Sequence, residues 1–174
     1  MIFYRHPRPD VPTGLCYGQL DVGIHPDSQG SINNACTAAP PISAIISSPS
    51  KRALALAQPL ATATGAKLIP DPRWMEMNFG AWEGLLWPEI NRDESDPWAA
   101  DPMNQCPPGG EAFSQVIARV QNALAEHPKD TAVVAHAGPI RAARMLLTNT
   151  SFETAFAEPI PFATPIEFSE LKAA

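Results

Sequence analysis

Two histidines and two arginines stand at positions where a chain could turn them to phosphoryl transfer. Arg5-His6 follows the apolar run Ile2 to Tyr4, Arg52 follows the turn Ser47 to Ser50, and His136 follows the run Thr131 to Ala135. Transfer through an enzyme intermediate needs a nucleophile, positive charge for the equatorial oxygens and an acid for the leaving oxygen. His6 offers an imidazole that attacks through Nε2 when neutral, a state that nearby arginines favour by depressing its pKa. Its Nδ1–H needs an acceptor to fix the tautomer, and Pro7, which has no N–H, still offers its carbonyl. Arg5 and Arg52 bring forked donors that match a phosphoryl group, and His136, in its protonated form, donates to the same oxygens. Glu76 or Glu83, in WMEMNFGAWEG, then protonates the leaving alkoxide; spacing alone does not choose between them.

Elements that could hold these residues follow from the pattern around them. Ile2 to Tyr4 predicts a buried strand that breaks at Arg5-His6-Pro7. Ile42 to Ile46 predicts a second, which leads through Ser47-Ser48-Pro49 into the helix KRALALAQPLATAT, stopped by Gly65. Ala66 to Ile69 predicts a third strand, closed by Pro70-Asp71-Pro72, whereas RWMEMNFGAWEGLLWPEI shows no clean period. Phe113, Val116, Ile117, Val120 and Leu124 share one face of a helix over AFSQVIARVQNALAEH. Thr131 to Ala135 predicts a fourth strand, and the helix IRAARMLLTN, opened by Pro139, would add its amides and positive dipole end to an anion cradle. Ile166 to Leu171 predicts a last strand. Alternating strands and helices indicate a mostly parallel sheet covered on both faces, whose ligands sit at the carboxyl ends of strands, where Arg5, His6 and His136 fall. Gly109-Gly110 lacks the Lys-Ser/Thr ending of a phosphate loop and predicts a plain turn. His25 and His127 adjoin no motif and are expected at the surface, and Arg141 and Arg144 are expected as solvated or packing charges.

The runs YRHP, SSPSKRALALA, MEMNFGAWEG, PPGGEAF and VVAHAGPIRAA occur in that order. Together they resemble the histidine phosphatase superfamily, also called phosphoglycerate-mutase-like, and ordered motifs at suitable separations are far more specific than a lone RH dipeptide. Within it, CYGQLD and the RHP form look most like alpha-ribazole phosphatases of cobalamin assembly. The resemblance implies a three-layer α/β/α sandwich with a mostly parallel central sheet and no metal. It implies His6 as the phosphorylated nucleophile, Arg5, Arg52 and His136 as the phosphate pocket, and Glu76 rather than Glu83 as proton donor. The chain departs from the family where Pro7 replaces a usual Gly, Arg8 an acid or Gln, and Val11-Pro12-Thr13-Gly14 a loop that carries a phosphate-binding Asn. Arg8, Thr13 and Tyr17 are therefore candidate substrate-loop residues, with Thr13 as a substitute for the Asn and Arg8 as a charge for a second anionic group.

Composition bounds the partners. A chain of 174 residues fits one α/β domain over 1–174. With 12 basic and 18 acidic residues, a net charge of −6 and no basic stripe, nucleic acid is not an expected ligand. A small anion is still accommodated, because a few focused arginines can oppose the sign of the whole. Cys16, Cys36 and Cys106 form no CxxC pair, which fits a reducing cytoplasm better than a disulfide framework or a zinc site. No run suits a signal peptide or a membrane span, so a soluble cytoplasmic protein is expected. The expected partner is a small-molecule phosphate ester, with no cofactor and no metal, and the assembly stays open, a homodimer included. Three activities fit: hydrolysis of a phosphomonoester such as alpha-ribazole phosphate through phosphohistidine, a phosphoglycerate-type mutase, or phosphate binding with little turnover. A zinc hydrolase is disfavoured because two arginines would repel the cation.

Overall fold

Short apolar runs bounded by turn formers pair as strands in the computed structural model of the chain, which describes residues 1–128 and 130–168. They are β1 (Ile2–Arg5), β2 (Ala44–Ser47), β3 (Lys67–Pro70), β4 (Thr131–Ala135) and β5 (Pro165–Glu167), in the spatial order β3-β2-β4-β1-β5. The β2–β3, β2–β4 and β1–β4 pairings are parallel, and β5 lies antiparallel on β1. The last expected strand thus covers Ile166 and Glu167, and its residues 169–171 lie outside the described residues.

The helices are α1 (Gln29–Thr37), α2 (Lys51–Thr64), α3 (Arg92–Ala100), α4 (Phe113–Glu126), α5 (Ala137–Thr148) and α6 (Phe152–Ala157). Side chains alternate across the sheet, and the alternation sorts them into two cores. Tyr4, Ile45, Ala132 and Val134 pack with Ile32 of α1 and with Ala53, Leu56 and Leu60 of α2. Phe3, Ile46, Val133 and Ala135 pack on the opposite face with Val116 and Val120 of α4 and with Ile140 and Ala143 of α5. Helices on both faces of one sheet make the expected α/β/α sandwich. The stripe Phe113, Val116, Val120 and Ala123 is buried, and burying a residue of the size of Val or Phe contributes about 1.5–3 kcal/mol.

Some boundaries differ from the sequence expectation for local reasons. Helix α5 begins at Ala137, not Pro139, because His136 has extended backbone and serves as its N-cap. Pro139 then occupies the third helical position, where its missing N–H costs nothing. Helices α1, α3 and α6 carry too weak an apolar stripe to be read in advance; α3 is opened by the Asn91 side chain, which accepts from Asp93 N, and α6 by Ser151, which accepts from Thr154 N. Residues 72–89 lack a period because they fold as separate 3-10 turns at Pro72–Trp74, Gly80–Trp82 and Trp87–Glu89. The Gly109-Gly110 turn packs directly on residues 78–80: a Cβ at Gly110 would lie 2.5 Å from the Asn78 carbonyl, so glycine is needed for the contact.

The strand order is what assembles the site. β2, β4 and β1 are neighbours, about 4.8 Å apart, and the pairings Arg5↔Ala135 and Ser47↔Val134 level their carboxyl ends. Residues far apart in sequence therefore leave the sheet side by side.

Candidate active site

His6 leaves β1 with its amide bonded to Ala135 O at 2.9 Å, and its side chain is fully buried. Nδ1 lies 2.6 Å from the Pro7 carbonyl, the acceptor anticipated from sequence. A carbonyl only accepts, so the proton is on Nδ1 and the lone pair on Nε2. Nε2 is buried with no hydrogen-bond partner among the described residues. Burial foremost, then the Arg52 cation and, more weakly, Arg5, hold the His6 pKa well below the usual histidine value, against the opposing pull of the Pro7 carbonyl. The ring is neutral, with a free nucleophilic nitrogen.

His136, at the end of β4, is also fully buried, its ring centroid 5.0 Å from that of His6. Arg52 Nε donates to its Nδ1 at 3.2 Å, and because guanidinium has no acceptor the ring proton sits on Nε2, 2.8 Å from Ser48 Oγ. Burial first, then His6 and Arg52, lower its pKa well below the usual value. With no anion bound, desolvation and the adjoining cations disfavour a further charge on His136, which leaves its ring a neutral N–H donor in this state.

Arg52 follows Ser50, which caps α2 by accepting from Ala53 N, so the first turn of that helix points the guanidinium into the site. It is fully buried, donates to the carbonyls of Gly18 and Leu20 at 2.5 and 2.6 Å, and lies 5.1 Å from the Tyr17 ring centroid. CYGQLD is therefore a backbone clamp on Arg52, and Tyr17 packs on the charge. Arg5 is held differently: Nη1 donates to Ile160 O at 2.9 Å, the guanidinium sits 3.8 Å over Phe162, and Nε is buried without a partner among the described residues. Two cations and two neutral imidazoles thus adjoin the N-terminus of α5, and this local positive field persists within a chain of net charge −6.

The two candidate acids have different surroundings. Glu83 accepts from the amides of Gln19, Leu20 and Phe79 at 2.9–3.0 Å, so it ties the CYGQLD segment to the turn at residues 79–83. Glu76 Oε1 accepts from Met77 N at 2.9 Å and from Gly138 N at 3.1 Å, at the start of α5 next to His136. Its backbone carbonyl accepts from Gln19 Nε2 at 2.9 Å and Arg119 Nη2 at 3.1 Å. A Cβ at Gly138 would overlap Glu76 Oε1, so only glycine lets the carboxylate approach.

Glu76 also borders a cavity of about 330 Å³ whose walls are mostly apolar and include five aromatic side chains, and Arg141 is among the lining residues. Arg141 packs over Phe156 at 4.7 Å, the packing role expected of it. Arg8 and Thr13 are exposed, and no hydrogen bond of either side chain joins the cradle among the described residues. The Arg8 carbonyl accepts from His25 N, and Thr13 lies in the turn closed by Leu15 N on Pro12 O. His127 is not the surface residue expected: Nε2 lies 2.9 Å from Asp71 in a partly buried pair. Ser48, Gln19, Arg119, Gly138 and Ile160 were not anticipated. Only SSPS and the glycine after His136 carried a sequence signal, as a cap and as a close approach. Among the described residues no group of three or more His, Cys, Asp or Glu is placed to hold a metal ion, and no helix is long and apolar enough to cross a membrane.

A family model described as histidine phosphatase superfamily (branch 1) matches residues 1–171. A bifunctional protein of Mycobacterium tuberculosis is 36% identical over 110 residues, which is 58% of this chain and 29% of that protein. The chain thus spans about three tenths of that relative's length. Phosphoserine phosphatase 1 of Hydrogenobacter thermophilus is 31% identical over 156 residues, 82% of this chain and 72% of that one. Among solved structures, a mycobacterial glucosyl-3-phosphoglycerate phosphatase superposes with a TM-score of 0.77 at 26% identity, over 90% of this chain and 82% of its own.

Proposed function

Because the chain belongs to the histidine phosphatase superfamily (branch 1), we propose that it hydrolyses a small-molecule phosphomonoester through a phosphohistidine on His6. One observation carries this reading: His6 Nε2, a lone pair fixed by the Nδ1 bond to Pro7, is buried without a partner among arginines. Leaving such a group unsatisfied costs about 1–3 kcal/mol, and a bound phosphoryl group gives both it and Arg5 Nε something to meet.

In the first step His6 Nε2 attacks phosphorus as the P–O bond to the leaving group breaks, and Glu76 gives its proton to the departing oxygen. Arg5 and Arg52 receive the equatorial oxygens, the His136 Nε2–H joins them by exchanging its Ser48 Oγ partner for a phosphoryl oxygen, and the N-terminus of α5 adds its dipole. In the second step Glu76, now a carboxylate, takes a proton from water, the resulting hydroxide oxygen bonds to phosphorus, and the N–P bond breaks to restore His6. Arg5 Nε is buried and unpartnered among the described residues before substrate arrives, and the buried Arg52 and His136 are already held beside it, which lowers the cost of reorganisation.

The free thiols of Cys16, Cys36 and Cys106 support a reducing, cytoplasmic setting. Phosphoserine and glucosyl-3-phosphoglycerate, named for relatives, and alpha-ribazole phosphate, from the sequence resemblance, belong in the substrate panel. Release of inorganic phosphate from p-nitrophenyl phosphate and from panel members, lost in His6→Ala, is the expected result. Isomerised phosphoester without free phosphate would mean a mutase instead, and tight phosphate binding with no turnover would mean a binding domain.

A further inference from the structure

The cavity beside Glu76 is built unlike a site for a polar alcohol. Phe152 and Phe156, one turn apart on α6, stack with ring centroids 4.1 Å apart, and each meets Phe113 of α4 edge to face. Phe79 and Trp98, themselves 5.9 Å apart, contribute a second aromatic wall. Met77, Ala99, Pro102 and Ala137 add further apolar lining, and the charged side chains on the lining are Glu76 and Arg141. Both are partly engaged by the protein itself. Glu76 is bonded to the Met77 and Gly138 amides, and the Arg141 Nε and Nη2 donors lie 3.3 and 3.4 Å from the carbonyls of Ala155 and Glu158. The cavity adjoins the proposed phosphoryl site through Glu76, which lines it together with Ala137 and Gly138 at the start of α5.

We infer that this cavity receives the leaving alcohol and selects phosphomonoesters of apolar, aromatic-bearing alcohols over those of sugars and amino acids. This rests on the phosphomonoesterase reading and deepens it. A ring entering the cavity exchanges water for aromatic walls, whereas hydroxyl, ammonium or carboxylate groups would lose hydration there and meet few partners. Discrimination of this kind is strong when it strands polar groups and modest when it adds or removes only apolar area.

Three primary-alkyl esters of comparable leaving-group chemistry test it: naphthalen-2-ylmethyl phosphate, O-phosphoserine and glucose 6-phosphate. The expected kcat/KM for the naphthylmethyl ester exceeds the others by about 100-fold or more, and Phe152→Ala and Phe156→Ala each reduce it by about tenfold while changing phosphoserine hydrolysis little. Calorimetry with naphthalen-2-ylmethylphosphonate and 2-amino-3-phosphonopropanoate reads the same preference without turnover. Equal kcat/KM across the esters, or equal losses on both in the Phe variants, overturns the cavity assignment. If no ester is hydrolysed, p-nitrophenyl phosphate included, the hydrolase reading falls. The phosphonate affinities then decide the cavity alone: tighter naphthyl binding that weakens in Phe156→Ala upholds it, and equal affinities overturn it.

Discussion

Substituting Gly138 by alanine separates the chemistry of Glu76 from the stability of the fold. Gly138 lies in the first turn of α5 and donates its amide to the Glu76 carboxylate. An alanine Cβ there would overlap Glu76 Oε1 and stand 3.4 Å from Glu76 Cδ and 3.9 Å from Met77 Cβ. The carboxylate is the movable partner, and a displacement of about 1 Å from a working geometry can cost about 100-fold in rate. Helix propensity runs the other way, since alanine is favoured over glycine within a helix by roughly 0.5–1 kcal/mol. The variant should therefore melt within a few degrees of the parent. Its kcat on an alkyl phosphate, whose leaving oxygen needs a proton, should fall by about 100-fold, while kcat on p-nitrophenyl phosphate, whose leaving group needs none, falls far less. Differential scanning fluorimetry and steady-state assays on the two esters measure this. Equal losses on both esters, or none on the alkyl ester, would refute Glu76 as the proton donor.

Other expectations follow from the same geometry. Arg52→Ala unpairs the buried Gly18 carbonyl, which alone costs about 1–3 kcal/mol, so both melting temperature and activity should fall; Arg52→Lys keeps the charge but cannot span both carbonyls and His136, and should still lose about tenfold or more in kcat/KM. Glu83→Ala frees the amides of Gln19, Leu20 and Phe79. It should lower kcat/KM on alkyl and aryl esters alike, unlike Gly138→Ala, because it loosens the Arg52 clamp and not the proton transfer. His6 and His136 have folded pKa values well below 6.5, so the unfolded chain binds more protons than the folded one as pH drops beneath 6.5. Their contribution to stability is complete above pH 6.5 and declines as pH falls toward the folded values, each histidine adding a slope of up to about 1.4 kcal/mol per pH unit. Melting temperature scanned against pH should show this acid limb, and His6→Asn with His136→Asn should flatten it; an unchanged limb in the double variant would contradict the assignment.

Much of the frame was legible because strands and amphipathic helices declare themselves by period. Thr131 to Ala135 and the Phe113 stripe are examples, and the Pro7 carbonyl could be named as an acceptor for Nδ1 because proline lacks the N–H but keeps that oxygen beside the ring. The protonation of His136 could not be read. It depends on Arg52 arriving from a neighbouring strand end and on complete burial, both set by the β2-β4-β1 order. Arg8 and Thr13, substrate-loop candidates by their places in the family pattern, are exposed, whereas Tyr17, the third, packs against Arg52. The MEMN segment defeated periodicity because its path is fixed by long-range bonds, from Gln19 and Arg119 to the Glu76 carbonyl and from Asn78 N to Glu111. Helix α6, which supplies two of the cavity's phenylalanines, is a six-residue element opened by a serine cap, too short to announce itself by its apolar spacing.

The central claim concerns a single nitrogen. Rapid acid-free quenching of the enzyme during turnover of a phosphoester, followed by peptide mapping and phosphorus NMR, reads where the phosphoryl group rests. The account predicts one acid-labile, base-stable phosphoryl group on Nε2 of His6, formed and lost at rates that match turnover and absent in His6→Ala. A phosphoryl group on His136 or another residue, or turnover that persists in His6→Ala, would contradict it.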